Sequence, residues 1–497
     1  MTPATYSPVD VLVIGAGNAA ANAALAAHEA GASVAMLETA PRDARGGNSA
    51  FTGGAFRFVY EGVDDLLALA PDIRDLDLAN IDFGTYTEGQ YFDDMGRLTE
   101  YRCDPDLTEV LIGNSYQSAL WLREHGVRFQ PALGRQAFKV DGKFKFWGGL
   151  ACHILGGGAQ LVPTLHAALE HAGVPVLYDT TAYGLLHDDA RIQGVRVRHR
   201  GRSFDLRARA VVLACGGFES NAEMRARYLG PNWDLAKVRG TRFNTGEGLR
   251  MALAIGAASA GNWSGCHAVG WDRNAPDFGD LAVGDGFQKH SYPLGVLINA
   301  NGERFVDEGA DFRNYTYAKY GRAILAQPGQ FAWQVFDAKA VPLLRDEYRI
   351  KQATRVRADS LEDLCARLED VNAGAALATL RVFNAAVKTG VPFDPNVKDG
   401  RGTVGLAVPK SNWANPLDTP PFEAYAVTCG VTFTFGGLKI DGQARVIDAD
   451  GAAIAGLYAA GELVGGLFYN NYPGGSGLMA GAVFGKIAGQ SASAFAA

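Results

Sequence analysis

Of 497 residues only six are cysteine, at 103, 152, 215, 266, 365 and 429, and no two form a C-x-x-C pair. This excludes a sequence-marked zinc or iron–sulfur site and fits reduced thiols. No metal ligand set is expected. No apolar run reaches the ~18 residues of a membrane span, so no direct span is expected. The start has neither the basic n-region nor the separate apolar h-region of a secretory signal, which makes a cytoplasmic location the expectation. Basic residues are in deficit, with 46 Lys and Arg against 53 Asp and Glu. A formal charge of -7 gives no reason to expect nucleic acid or an acidic membrane as partner. No extended tandem repeat occurs.

Glycine is what the chain has in excess, 62 residues, many of them in pairs. Such pairing reads as repeated close approach of backbone to a ligand. The length allows two or three domains with a large core.

The stretch that organises the rest is Asp10-Val-Leu-Val-Ile-Gly15-Ala-Gly17-Asn18-Ala19-Ala20. Val11 to Ile14 reads as a strand buried on both faces of a parallel sheet. Gly15 allows the tight turn, Gly17 lets the backbone approach a pyrophosphate, and Ala20 takes the third small position. Ala19 to Ala30 is an alanine-rich helix whose N-terminus suits an anion. Val34 to Leu37 is the next strand, and Glu38, about 20 residues beyond Gly17, suits a ribose 2′-hydroxyl. An acid there argues against a 2′-phosphate but does not separate FAD from NAD.

Further along, Gly46-Gly47-Asn48-Ser49-Ala-Phe-Thr52-Gly53-Gly54 brackets small polar side chains between glycine pairs, as a loop against a flat ring requires. Residues 61–130 read as polar helices. Phe138 to Val140 and Phe144 to Phe146 flank an Asp-Gly turn and predict a hairpin. Arg135 and Lys139 there either receive substrate carboxylates or belong to a solvated face. A strand at 174–178 leads to Thr181 and Ala182, an adenosine contact. Residues 192–197 and 203–206 predict a meander, followed by a separate buried strand ending in Ala214-Cys215-Gly216-Gly217. Thr245-Gly246-Glu247-Gly248 opens another helix. Beyond about 262 the texture becomes aromatic and irregular. The expected elements are a strand and hairpin over 294–305, a strand at 331–336, an amphipathic helical segment within 359–389 and a proline-rich linker at 416–421. Phe433 to Leu438 precedes a strand near Ile440. A strand then ends in Gly461-Glu462, and Gly475-Ser476-Gly477-Leu478 opens the last helix, whose N-terminus suits the anionic end of a reduced flavin.

The motifs GGNS, VVLACGGF, TGEG, FTFGGL, AAGE and the final GG-x-G helix, in this order, resemble the soluble fumarate reductase/succinate dehydrogenase flavoprotein superfamily across almost the whole chain. GRQAFKVDGKFKFWGG and NNYPGGSGLMAGAVFG look most like FAD-dependent tricarballylate dehydrogenases. The resemblance implies an α/β fold: a discontinuous Rossmann-like FAD-binding domain, 1–261 and 426–497, with an inserted α+β cap (substrate) domain, 262–425. It implies that Asn48, Ser49, Thr52, Gly53 and Gly54 flank the flavin ring, that Glu38 holds the adenosine ribose, and that Glu462 holds the ribityl or pyrophosphate side. Respiratory relatives attach FAD through a histidine before the second glycine pair. All nine histidines here fall at or before His290 and none is in that loop, so non-covalent FAD is expected.

The departures from the family bear on the reaction. Dicarboxylate reductases carry a histidine where Phe433 stands, an arginine near Tyr472, and a cap arginine whose equivalent falls near Val341, with Lys339 and Arg345 nearby. Tyr472-Pro-Gly-Gly instead resembles 3-ketosteroid dehydrogenases. The reaction class implied is a CH–CH dehydrogenation next to a carboxylate or carbonyl, with a proton going to a base and a hydride to flavin N5. Candidate bases are Tyr472, Tyr315 and Tyr317, with Arg313 as the neighbouring cation or else as a salt-bridge partner of Glu308 or Asp311. Arg135, Lys139, Arg242, Arg313 and Arg345 are cations for a polycarboxylate such as tricarballylate, with Phe433 at the pocket. The alternatives are a ketosteroid- or fumarate-reductase-like oxidoreductase, or a flavin-bearing electron-transfer subunit. The resemblance also implies a separate membrane electron-transfer partner.

Overall fold

The computed structural model describes residues 7–146, 148–188 and 191–497. Its first sheet is ordered Arg445–Ile447, Ala453–Ala459, Arg202–Leu213, Val9–Ile14, Val34–Leu37, Val176–Leu177. All neighbours in it are parallel except the first pair. Val11, Leu12 and Val13 are wholly buried, as a strand covered on both faces must be. Arg202–Leu213 is one strand rather than the two expected. Its first half joins the antiparallel meander with Ile192–His199 and Thr180–His187, and its second half pairs with Val9–Ile14. Leu206 to Ala210 alternates small or apolar residues with arginines and has no breaker, so pairing continues without a turn.

The helix Asn18–Glu29 packs on the C-terminal helix Ser476–Ala496. Gly481, Gly485 and Gly489, one per helical turn, face it: a Cβ on Gly485 or Gly489 would collide with the Ala19 or Ala23 carbonyl oxygen. Small residues on both helices thus bring the backbones together over the nucleotide turn.

The second sheet is built on the 17-residue strand Phe422–Leu438, flanked by Phe331–Phe336, Ser259–Asp272, Arg355–Ala358 and Lys237–Val238, with Val296–Ile298 beyond. Phe422–Leu438 absorbs the segment expected only to precede a strand; Ile440 makes just an isolated bridge with Val446. The chain turns after Ile298, but Val296–Ile298 pairs with Phe331–Phe336 rather than with the residues that follow the turn. Helices Leu361–Ala366 and Ala373–Ala386 stand where one amphipathic segment was expected. The boundaries drawn at 261/262 and 425/426 both fall inside strands of this sheet. The predicted hairpin is present as Ala137–Val140 and Lys143–Phe146, with Asp141 and Gly142 at φ +50° and +82°. Among the described residues no helix is long and apolar enough to cross a membrane.

Candidate active site and cofactor cavity

A cavity of about 260 Å³ runs from Glu38 and Ala182 at one end to Tyr472, Tyr317 and Phe433 at the other. At the Glu38 end its wall is largely backbone. Gly15, at φ +115°, leaves no room for a Cβ against the Ala214 carbonyl, so the chain can turn there only as glycine. Gly17, Asn18, Ala19, Gly47, Asn48, Ser49, Thr52, Gly53, Ala214, Gly216, Gly461, Glu462, Gly475, Gly477 and Leu478 line it as well. Burial pushes the Glu38 carboxyl up to about 7, against the hydrogen bond it accepts from Ala40 N–H at 2.8 Å.

Six residues expected at the cofactor lie outside this wall. Ala20 is buried within the helix Asn18–Glu29, and the Gly54 carbonyl accepts from Ile154 N–H. Thr181 points away from the cavity while its neighbour Ala182 lines it, as strand alternation demands. Gly217 is pressed against Glu462 and Thr434, and Gly246 against Met224. The Ser476 hydroxyl accepts from Tyr91 at 2.9 Å.

Asn48 anchors the loop. Its amide donates to Glu219 Oε1 (2.7 Å) and to the Thr432 carbonyl (2.5 Å), and it accepts from Thr241 N–H (2.9 Å). Glu219 also accepts from Asn244 (2.6 Å) and is in hydrogen-bond contact with Glu462. Burial raises both carboxyls, Glu219 well above the ordinary range.

At the other end, Tyr317 and Tyr472 meet hydroxyl to hydroxyl at 2.5 Å. Phe433 and Phe468 stack edge-on against Tyr472, with ring centres 5.2 and 5.3 Å away. Burial raises both phenols; for Tyr317 the hydrogen bond from Tyr472 and the charges of Arg239, Arg313 and Arg57 oppose it without overcoming it. His267 stands 4.9 and 4.8 Å from these two rings with both of its nitrogens lacking a hydrogen-bond partner. It sits at a register shift between Ser259–Asp272 and Phe422–Leu438, and such a bulge re-aims a side chain. His290 also lines the cavity, with Nε2 unpartnered. Desolvation, with Arg239 nearby, holds both histidines well below the usual value and therefore neutral.

Two arginines converge on one carboxylate here, and a third stands beside them. Asp285 pairs with Arg239 at 2.6 Å and Arg135 at 3.1 Å. Arg313 donates to the Arg135 carbonyl (2.7 Å) and to Gln136 Oε1 (2.9 Å). The alternative partners for Arg313 are engaged elsewhere: Glu308 by Arg304, Asp311 by Arg97 and Lys398. Tyr315 is not at the cavity. The turn Arg313–Tyr315 fans its side chains apart, and the Tyr315 hydroxyl donates to Asp94 at 2.8 Å. Lys139 is exposed over the Phe144 ring and Arg242 over Phe278. Arg345 donates to the Gly134 carbonyl (2.7 Å) behind the wall, and Val341 does not reach the cavity. Among the described residues of 262–425, the arginine that does is Arg313. Arg239, Asp285, His267, His290 and Glu219 went unread in the sequence, since none belongs to a spaced motif.

The cavity fits FAD. It has a glycine cradle too tight for side chains, helix N-termini at Asn18 and Ser476, and an acid at the far end. Among the described residues no group of three or more His, Cys, Asp or Glu is disposed to hold a metal. The FAD binding domain family matches residues 10–478. Probable fumarate reductase Ifc3 of Shewanella frigidimarina is 30% identical over 97% of this chain and 74% of its own length. A 3-oxosteroid 1-dehydrogenase of Mycobacterium tuberculosis is 28% identical over 74% of this chain and 68% of its own. The open conformation of a flavocytochrome c3 fumarate reductase superposes with a TM-score of 0.72 at 26% identity, covering 99% of this chain and 79% of that one. Two further curated relatives are longer, and the chain spans about half of each. The chain belongs to the fumarate reductase/succinate dehydrogenase flavoprotein family and is an FAD-dependent oxidoreductase acting on CH–CH groups.

Proposed function

We propose that this enzyme interconverts a CH–CH and a C=C bond next to a carboxylate of a small polycarboxylate of the tricarballylate type. The observation that carries this reading is the set Arg135, Arg239 and Arg313 in the cavity wall near Tyr317 and Tyr472, with Asp285 paired to the first two. Planar guanidiniums bind carboxylates in bidentate fashion, and a cluster of them at one end of a buried cavity favours an anion. Neutral His267 and His290 add hydrogen bonds without adding charge.

FAD, when bound, supplies the hydride chemistry. In this reading Gly15, Gly17 and Asn18 hold its pyrophosphate, Glu38 its ribose, and Asn48 to Gly53 with Gly475 to Leu478 its ring system. The arginines orient the substrate so that its C–H bond faces Tyr317 and Tyr472. That pair is protonated at pH 7 and gives one proton to the substrate carbon in reduction; in dehydrogenation the pair must first lose a proton to solvent, and its ionised form then takes the proton from the substrate carbon. Phe433 and Phe468 exclude water from the step. We further propose that FAD is non-covalent, so that acid precipitation releases it. Electrons leave to a separate electron-transfer protein, and the six unpaired cysteines favour the cytoplasm.

A second reading, a 3-ketosteroid-like substrate, draws on the aromatic wall around Tyr472 and on the 3-oxosteroid 1-dehydrogenase relative. Anaerobic titration of the purified FAD protein decides between the two. Tricarballylate, rather than citrate, succinate or a 3-ketosteroid, should bleach the flavin band at about 450 nm. Bleaching by the steroid alone overturns the polycarboxylate reading. Bleaching by nothing, with electrons accepted only from a protein partner, points instead to an electron-transfer subunit. Tyr472→Phe should keep FAD and lower turnover by about a hundredfold or more.

A further inference from the structure

Behind the turn that carries Tyr472 lies a charge that the proposed chemistry leaves unused. Arg57 is wholly buried. Its backbone N–H donates to the Gly475 carbonyl (3.2 Å), Nε to the Gly474 carbonyl (2.8 Å), and Nη1 reaches Asp94 Oδ2 only at 3.4 Å. Nη2 has no hydrogen-bond partner. The guanidinium centre stands 5.0, 5.9 and 5.8 Å from the rings of Tyr86, Tyr91 and Tyr315. Asp94 is shared: Tyr86 (2.7 Å), Tyr315 (2.8 Å) and Arg97 (3.1 Å) all donate to it. A buried cation is costly unless its partners compensate it, and one distant, shared carboxylate compensates little.

In front of Arg57 is the Tyr472–Gly475 turn, and Gly474 packs against the Tyr317 hydroxyl. We propose that Arg57 is a positioning residue: it clamps the Gly474–Gly475 turn so that Tyr472 meets Tyr317, and its buried charge stabilises negative charge developing on that hydroxyl pair. The second clause rests on the proton role given above to the pair. Only a proton moves through these two oxygens, so the step needs no further oxidant. The groups facing the pair are Arg57, Arg239, Arg313 and the neutral His267 and His290. The carboxylates that face these arginines are Asp94 and Asp285, themselves paired to arginine, and the buried Glu347 beside Arg313. Removing Arg57 therefore takes away one of three cations that favour the ionised pair.

The test uses the full-length FAD-loaded protein. Arg57→Met and Arg57→Lys are made with and without Tyr317→Phe, and the difference in ultraviolet phenolate titration isolates the pair. Arg57→Met should move that titration up by about one pH unit or more, a tenfold change in proton affinity, while Arg57→Lys holds it within about half a unit. Amide exchange over residues 472–478 should quicken in both, because lysine restores the charge but not the fork. A folded Arg57→Met with unchanged titration and exchange overturns the proposal. Should it not fold, Asp94→Asn is the second variant: freeing Arg57 of its counter-charge should lower the titration, and no change or a rise overturns the proposal. None of these readouts needs a substrate, so they stand or fall apart from the polycarboxylate reading.

Discussion

The two ends of one cavity are made differently. At the Glu38 end the ligand-facing surface is backbone, supplied by glycine turns at strand ends. At the Tyr472 end it is side chains, carried by segments as far apart in sequence as Arg135, Arg239, His267, Asp285, Arg313 and Tyr472. A backbone surface tolerates almost no substitution, whereas a side-chain surface can be rebuilt residue by residue. The difference accounts for one flavin cradle serving relatives of different activity.

Changes at the two ends should separate cofactor from substrate effects. The largest effect is expected of Gly15→Val. With φ at +115° and the Ala214 carbonyl in the way, a β-branched residue must move the turn, at a cost of about 1–3 kcal/mol in backbone strain alone. Flavin content of the purified protein, read from its absorbance, should fall nearly to zero. Retained flavin would break the contrast. Next comes Arg239→Gln, which leaves Asp285 with Arg135 as its one arginine partner. KM for the substrate should rise by about thirtyfold or more, on the ~2–5 kcal/mol scale of breaking a desolvated charge pair, while FAD stays bound. Steady-state kinetics with the identified substrate measures it, and loss of flavin instead would erase the distinction.

His267 sharpens the comparison through pH. Its folded value is depressed by burial, whereas the unfolded side chain titrates near the ordinary ~6.5. Below that pH the unfolded state gains protons that the folded state refuses, so this contribution to stability is fully present above about pH 6.5 and declines below it. Denaturant unfolding should show wild type losing stability relative to His267→Asn by about 1.4 kcal/mol per pH unit below 6.5. The raised carboxyls of Glu38, Glu219 and Glu462 act with the opposite sign in both proteins and cancel in the difference. A difference that does not change with pH would mean that His267 is protonated in the fold. The smallest effect is reserved for Lys139→Ala, on a solvent-facing strand of the hairpin; KM within about twofold of wild type is expected from an exposed charge.

The same contrast sets what could be read beforehand. Val11 to Ile14, Gly15, Gly17 and Glu38 announce themselves because a nucleotide turn demands fixed residue types at fixed spacing. Tyr472 and Arg313 were legible from motif and neighbourhood. Tyr315 lies outside the cavity because a 3₁₀ turn, not the sequence interval, decides which side chain faces inward. His267 had no local mark: its aim depends on a bulge against a strand about 165 residues later in the chain. Arg239 and Asp285 acquire meaning only as a pair, and pairing across the fold is invisible one residue at a time.

The long strands Ser259–Asp272 and Phe422–Leu438 carry a consequence for recombination. They form one antiparallel ribbon that crosses both of the boundaries at which a cap would be excised. A chimera spliced at 261/262 and 425/426 would join half-ribbons from two parents and ask their bulges to match. His267, at the shift in register, would be the first residue to lose its aim. Cap exchange between relatives should therefore succeed when the whole ribbon travels with the cap, taking part of the cofactor wall as its passenger.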